Sequence, residues 1–120
     1  DVLLVTYGTL VNNLLTAAEM LEKEGIHAGV LRLMNLTQFP TEAILAQGSC
    51  PVVIIEEACS GSGIREALAW QLRAVEPERP VYGIDLGPDF VPHGSQEKLY
   101  RLCGLDSGAI VEFVRGVIPR

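Results

Sequence analysis

Pro51-Val52-Val53-Ile54-Ile55-Glu56-Glu57 decides the fold. Four consecutive β-branched residues, opened by a proline and closed by two carboxylates, read as a short strand buried on both faces. Downstream, Gly61-Ser62-Gly63 leads into a helical stripe at Ile64, Ala67, Leu68, Gln71, Leu72 and Val75. Upstream, Phe39-Pro40-Thr41 opens a short helix with Thr41 as its N-cap and Gly48 as its stop. The unit is therefore helix, buried strand, Gly-rich loop, helix.

The same alternation runs through the rest of the chain. Val2 to Thr6 is another continuous apolar run, broken by Tyr7-Gly8-Thr9. A helix follows with its stripe at Val11, Leu14, Leu15, Ala18 and Leu21, and Gly25 stands just past it. His27 to Met34 reads as a strand, as does Val81 to Asp85. Ser95 caps a helix carrying Leu99, Leu102 and Cys103, which Gly104 stops. Asp106 caps a last one with Ile110, Phe113, Val114, Val117 and Ile118 on one side. Strands separated by helical crossovers predict an α/β fold: a three-layer α/β/α domain over residues 1–120 with a mainly parallel sheet.

Composition narrows the function. Of 120 residues 48% are hydrophobic, enough for a sizeable core, and the formal net charge of −6 repels phosphate backbones and anionic lipid. No nucleic-acid partner and no membrane partner is expected. No apolar run approaches the roughly 20 residues that span a bilayer. The three cysteines, Cys50, Cys59 and Cys103, are odd in number and form no CxxC, so they read as small buried hydrophobes in a reducing, cytoplasmic compartment. With no initiator Met, and Asp1 leading straight into an apolar run, the chain looks like a piece of a longer protein.

In an open α/β sheet, ligands gather beyond the carboxyl ends of the strands. The loops there hold Tyr7-Gly8-Thr9, Asn35 to Phe39, Glu56 to Gly63 and Asp85 to Ser95. Neither G-x-G-x-x-G nor a P-loop occurs, and there is no G-x-S-x-G elbow. Gly61-Ser62-Gly63 stands ahead of a helix whose free N–H groups are able to receive an anion, or is merely a turn. Glu56 and Glu57, being adjacent, point to opposite faces and cannot act as one acid/base pair. One is expected to face the crevice, the other solvent or a neighbouring subunit. His93, just ahead of a helix, is a substrate contact, a proton carrier or a loop hydrogen-bonding residue. The set is not a complete catalytic one.

Pro88-Asp89-Phe90-Val91-Pro92-His93-Gly94-Ser95-Gln96-Glu97-Lys98-Leu99, followed by Cys103-Gly104-Leu105-Asp106-Ser107-Gly108-Ala109-Ile110, resembles the C-terminal domain of 1-deoxy-D-xylulose-5-phosphate synthase and related members of the transketolase superfamily. That family has an Asp close before a Phe, then His-Gly, a helix, Gly-Leu-Asp and a final helix. Tyr7-Gly8-Thr9, Pro40 and Glu56-Glu57 match further positions, so the likeness covers essentially the whole chain. The loop from Ala58 to Gly63 is shorter than the synthases' Gly-rich loop. That keeps a transketolase and a 2-oxo acid dehydrogenase β-subunit as alternatives, and a stand-alone α/β interaction module with the same fold stands as a separate one.

The resemblance implies a parent enzyme with thiamine diphosphate and Mg²⁺. Such a parent condenses pyruvate with glyceraldehyde 3-phosphate and releases CO₂, feeding isoprenoid, thiamine and pyridoxal synthesis. Cofactor and metal belong to its N-terminal and middle domains, so this fragment is expected to bind neither and to be inactive alone. Its implied role is packing on those domains and within a homodimer. Glu57 and His93 are expected at the interface or the rim of the substrate channel, with Asp89 and Ser95 anchoring the loop that carries His93. The family's sheet also has an antiparallel first strand. Its lack here predicts four parallel strands in the order 27–34, 1–6, 52–56, 81–85, with 27–34 an exposed edge.

Overall fold

A computed structural model describes residues 1–89 and 91–118. Four strands, β1 (Val2–Thr6), β2 (Ala28–Arg32), β3 (Val52–Ile55) and β4 (Val81–Ile84), form one sheet in the order β2-β1-β3-β4. All three pairings are parallel. This is the order expected from the sequence. Helices α1 (Val11–Lys23), α2 (Thr41–Leu45), α3 (Arg65–Val75), α4 (Gln96–Cys103) and α5 (Ser107–Val117) complete the α/β chain, with a 3-10 turn at Gly8–Leu10 ahead of α1.

The two faces of the sheet follow from the two-residue period of the strands. Val2, Leu4, Val53 and Ile55 pack against Leu14, Ala17 and Leu21 of α1 and against Ile110, Val111 and Val114 of α5. Leu3, Val5, Val52 and Ile54 point the other way, against Ile44 of α2 and Leu68 and Leu72 of α3. Both central strands are buried at every position, which is why they read as unbroken apolar runs.

Several local expectations change. β2 is shorter than His27 to Met34: Leu33 is buried, whereas Met34 is 84% exposed and lies past the last paired residue, Arg32. Thr41 is the first residue of α2 rather than its cap, and Pro40 holds the cap position without a side-chain bond. In α1 the inward stripe takes Ala17, while Leu15 is half exposed. In α3 only Leu68 and Leu72 are buried; Val75 and Trp70 are exposed. Cys50 and Cys103 are half-buried and pack against the two cores, close to the expectation, whereas Cys59 is exposed; all three are free thiols.

The caps of the last two helices form as expected. Ser95 Oγ accepts from the Lys98 N–H, and Asp106 Oδ1 accepts from the Ala109 N–H at 2.9 Å. Gly104 ends α4 at φ 76°, a left-handed conformation that a residue with a Cβ resists. Asn13 Nδ2 donates to the Leu105 carbonyl at 2.9 Å, tying the α4–α5 junction to α1.

The division of α3 into a buried and a bare face is testable by substitution. Leu72→Ala, at a fully buried position, is expected to cost about 2–5 kcal/mol in urea unfolding. Trp70→Ala, at a position 79% exposed, is expected to change stability by less than about 0.5 kcal/mol despite the larger side chain. Equal losses would mean that α3 is rotated on the sheet.

Candidate functional site

The carboxyl ends of β1, β3 and β4 meet the loops that follow them, and Glu56 stands at the centre. Strand parity continues one residue past β3, so Glu56 turns to the same face as Val52 and Ile54, where α3 lies. Its side chain is 1% exposed. Oε2 accepts from the Ile64 N–H at 2.8 Å and from the Tyr7 hydroxyl at 3.2 Å, while Oε1 accepts from the Arg65 N–H at 3.3 Å. Ile64 is the N-cap residue of α3 and supplies no side-chain cap of its own. Glu56 thus caps the helix from eight residues away, placing its carboxylate where unpaired N–H groups and the helix dipole favour negative charge.

Gly63 makes room for this. A Cβ at Gly63 would lie 2.2 Å from Glu56 Oε2. The Gly61-Ser62-Gly63 loop is therefore not a vacant anion cradle: the anion at this helix terminus is the protein's own carboxylate. That decides between the two readings of the loop in favour of the turn.

Tyr7, at the end of β1, is the third partner. Its pKa is pushed up to about 12, first by burial, then by the Glu56 charge and the hydrogen bond to it, with a smaller effect of Glu57. The phenol therefore remains the donor and Glu56 the acceptor. Beneath them, Thr6 Oγ1 donates to the Ile55 carbonyl at 2.7 Å, joining β1 and β3 where the ladder ends.

A second polar group closes the β4 side. Asp85 accepts from Arg65 Nη2 at 2.8 Å, from Ser60 Oγ at 3.1 Å and from the Gly87 N–H at 2.9 Å. Partial burial would raise its pKa, but the Gly87 N–H, the Arg65 guanidinium and the Ser60 hydroxyl outweigh it, leaving the carboxyl below its ordinary value. Arg65 reaches Asp85 by crossing Gly83, where a Cβ would lie 1.7 Å from Arg65 Cδ. Glycine at that strand position is the slot through which the arginine passes.

Glu57 has the opposite parity and is exposed on the other side of the sheet, toward α4. It accepts from the Tyr100 hydroxyl at 3.2 Å, and Gln96 Nε2 donates to the same hydroxyl at 3.1 Å. Burial, then Glu57, raises the Tyr100 pKa against the opposing hydrogen bonds of Thr9 and Gln96. This contact matters because α4 buries none of its own residues, and Leu102 is 66% exposed.

Asp89, His93 and Ser95 all lie exposed on the segment between β4 and α4. Ser95 acts as the cap of α4. Phe90, part of the same stretch, lies outside the described residues. Glu57 is thus separated from Glu56 as its adjacency required, whereas Tyr7, Arg65, Asp85 and Tyr100 were not singled out from the sequence. The signal for Arg65 and Asp85 was Gly83, an isolated glycine in an otherwise β-rich run.

Among the described residues no cluster of three His, Cys, Asp or Glu side chains could hold a metal ion. No helix of the described residues is long and apolar enough to cross a membrane. A polar recess of about 450 Å³ beside Tyr100 is lined by Asn13, Gln96, Arg101, Asp106 and Ser107. A groove of about 830 Å³ lies at the opposite, amino edge, between Ile26, Cys50 and Ile118, away from all these groups.

Comparison with known proteins gives a consistent answer. The family model described as "Transketolase, C-terminal domain" matches residues 1–110. The 1-deoxy-D-xylulose-5-phosphate synthase of Chlorobium luteolum is 33% identical over 114 residues, covering 93% of this chain and 18% of that protein. The enzyme of the same name from Crocosphaera subtropica is 35% identical over 117 residues, again covering 18% of its length. A split-gene transketolase solved as an inactive β4 tetramer superposes with a TM-score of 0.81 at 28% identity, covering 97% of this chain and 38% of that one. The chain therefore spans less than a fifth of the curated relatives it matches.

The raised Tyr7 pKa has a signed consequence. A phenol whose folded pKa lies above the ordinary 10.0 contributes stability that is full below pH 10 and is lost as pH rises toward 12. In urea titrations at stepped pH, Tyr7→Phe should be less stable than the parent at neutral pH and lose less stability between those two values. Parallel curves would show that the phenol does not face the Glu56 carboxylate.

Proposed function

The chain belongs to the transketolase C-terminal domain family, and we propose that it is the C-terminal lobe of a thiamine-diphosphate-dependent 1-deoxy-D-xylulose-5-phosphate synthase. In this reading residues 1–120 form one domain of a cytoplasmic enzyme that joins pyruvate to glyceraldehyde 3-phosphate with loss of CO₂. The reading is carried by the synthase relatives, which match 93–100% of this chain over only 18–19% of their own length.

Thiamine diphosphate supplies the electron sink for such a decarboxylation. The residues of this chain do not fit it. The α3 N-terminus, the natural seat for a diphosphate, already holds the Glu56 carboxylate on two N–H groups. The chemistry is accordingly assigned to other domains, and this lobe to support. Glu57, Asp89, His93 and Ser95 form a polar rim at the carboxyl edge that meets those domains or the mouth of the substrate channel. The lobe also takes part in self-association of the parent. The solved relative at 28% identity is a transketolase assembled as a β4 tetramer, which keeps a transketolase parent as the second reading.

A chimera tests both. The Chlorobium luteolum synthase, with its C-terminal domain replaced by this chain, should release CO₂ from pyruvate when glyceraldehyde 3-phosphate is supplied, while the truncated synthase should not. A folded, cofactor-loaded chimera without this activity would contradict the synthase reading. Graft function in a transketolase alone would favour the second.

A further inference from the structure

α3 is apolar on two sides. Its inward stripe, Leu68 and Leu72, packs on the sheet. At helical spacing Ala67, Trp70 and Ala74 form a second stripe, all three exposed and turned away from that core. Val75, at the end of the helix, is exposed as well. α1 differs: its exposed positions are Asn12, Thr16, Glu19, Glu22 and Lys23, with Leu15 the one large apolar residue among them. A helix with apolar residues on opposite faces belongs between two layers.

The surroundings of Trp70 are those of an anchor. Ala67 and Ala74 leave the indole standing above a low strip, where a partner reaches its full area. A shallow recess of about 330 Å³ runs beside it along Glu66, Ala69, Arg73 and Pro77. Arg73 has no ion pair or side-chain hydrogen bond among the described residues. Glu66, on the same flank, is already paired with Arg65 Nη2 at 3.2 Å. The face therefore offers one large aromatic group and one uncommitted cation, the residue types that carry most contact energy at interfaces.

We infer that the Trp70 face of α3 is where the rest of the parent enzyme packs on this lobe, through an apolar pocket that takes the indole and a carboxylate beside it for Arg73. Two observations select this occupant. The synthase relatives match this chain over only 18–19% of their own length, so most of such a protein lies outside it. A second copy fits less well, because antiparallel pairing of two α3 helices brings Arg73 to the other copy's Glu66, which Arg65 already engages. The face lies on the layer opposite Glu57 and α4, so the contact is separate from the polar rim.

This deepens the reading of the chain as a C-terminal lobe and rests on it, but not on which reaction the parent performs. Hydroxyl-radical footprinting read by mass spectrometry tests it, on the full-length parent and on residues 1–120 alone. Trp70 is the single tryptophan of the chain. It should be oxidised about tenfold or more slowly in the parent than in the isolated chain, since such anchors are sealed from water. Trp70→Ala and Arg73→Glu should leave the urea midpoint of the isolated chain in place. In the parent, each should speed release of the lobe by limited proteolysis, Trp70→Ala by about tenfold or more.

Equal labelling of Trp70 in both proteins, with the parent active as a synthase, would overturn the packing face and spare the synthase reading. Protection in a parent without synthase activity would support the face and contradict the named reaction. Protection that appears in the isolated chain as its concentration rises would place a second copy on α3 and overturn the proposal.

Discussion

The carboxylate of Glu56, buried against the first turn of α3, is the constraint on which the carboxyl edge depends. A buried carboxylate is costly unless its oxygens are matched by donors. Here two backbone N–H groups and one phenol meet it. The same contact solves a second problem, because α3 begins without a capping side chain of its own. Charge burial and helix capping are each unfavourable alone and favourable together. The loop from Glu57 to Gly63 is held between the end of β3 and that cap, so its path follows from one side chain.

The consequences extend to both sides of the edge. With α3 fixed, Arg65 emerges from its first turn at the height of Gly83 and reaches Asp85, which also gathers Ser60 and the Gly87 N–H. With the strand parity fixed, Glu57 must face away from α3, where it meets Tyr100 and gives the weakly buried α4 a polar anchor. A supporting lobe has reason to be built this way. The position where an α/β fold commonly receives a ligand phosphate is filled from inside, leaving a stable, polar edge to present outward.

The fold was legible because its information is local. Val52 to Ile55 and Val2 to Val5 are unbroken apolar runs, and Ser95 and Asp106 sit directly before the turns they cap. Strand order followed from the family resemblance together with the crossover rule. The edge cluster was only half legible. Adjacency separated Glu56 from Glu57, but which one was buried depended on which face α3 covers, a tertiary fact. Tyr7 and Tyr100 each contact their glutamate 43 or 49 residues away, and no periodic signal links such pairs. Val75 and Leu15 misled for the complementary reason: the inward stripe of each helix is narrow, and an apolar residue just outside it remains in water.

The central claim is energetic, that Glu56 and Gly63 act as one unit, and a double-mutant cycle measures it. Unfolding free energies are compared for the parent, Glu56→Ala, Gly63→Ala and the double variant. Glu56→Ala should cost on the order of 2–4 kcal/mol, the loss of a cap together with donors left unmatched. Gly63→Ala, whose Cβ would stand 2.2 Å from Glu56 Oε2, should be destabilising in the parent and nearly neutral once Glu56 is alanine. Additive losses would contradict the account, because the glycine would then be serving the loop and not the carboxylate.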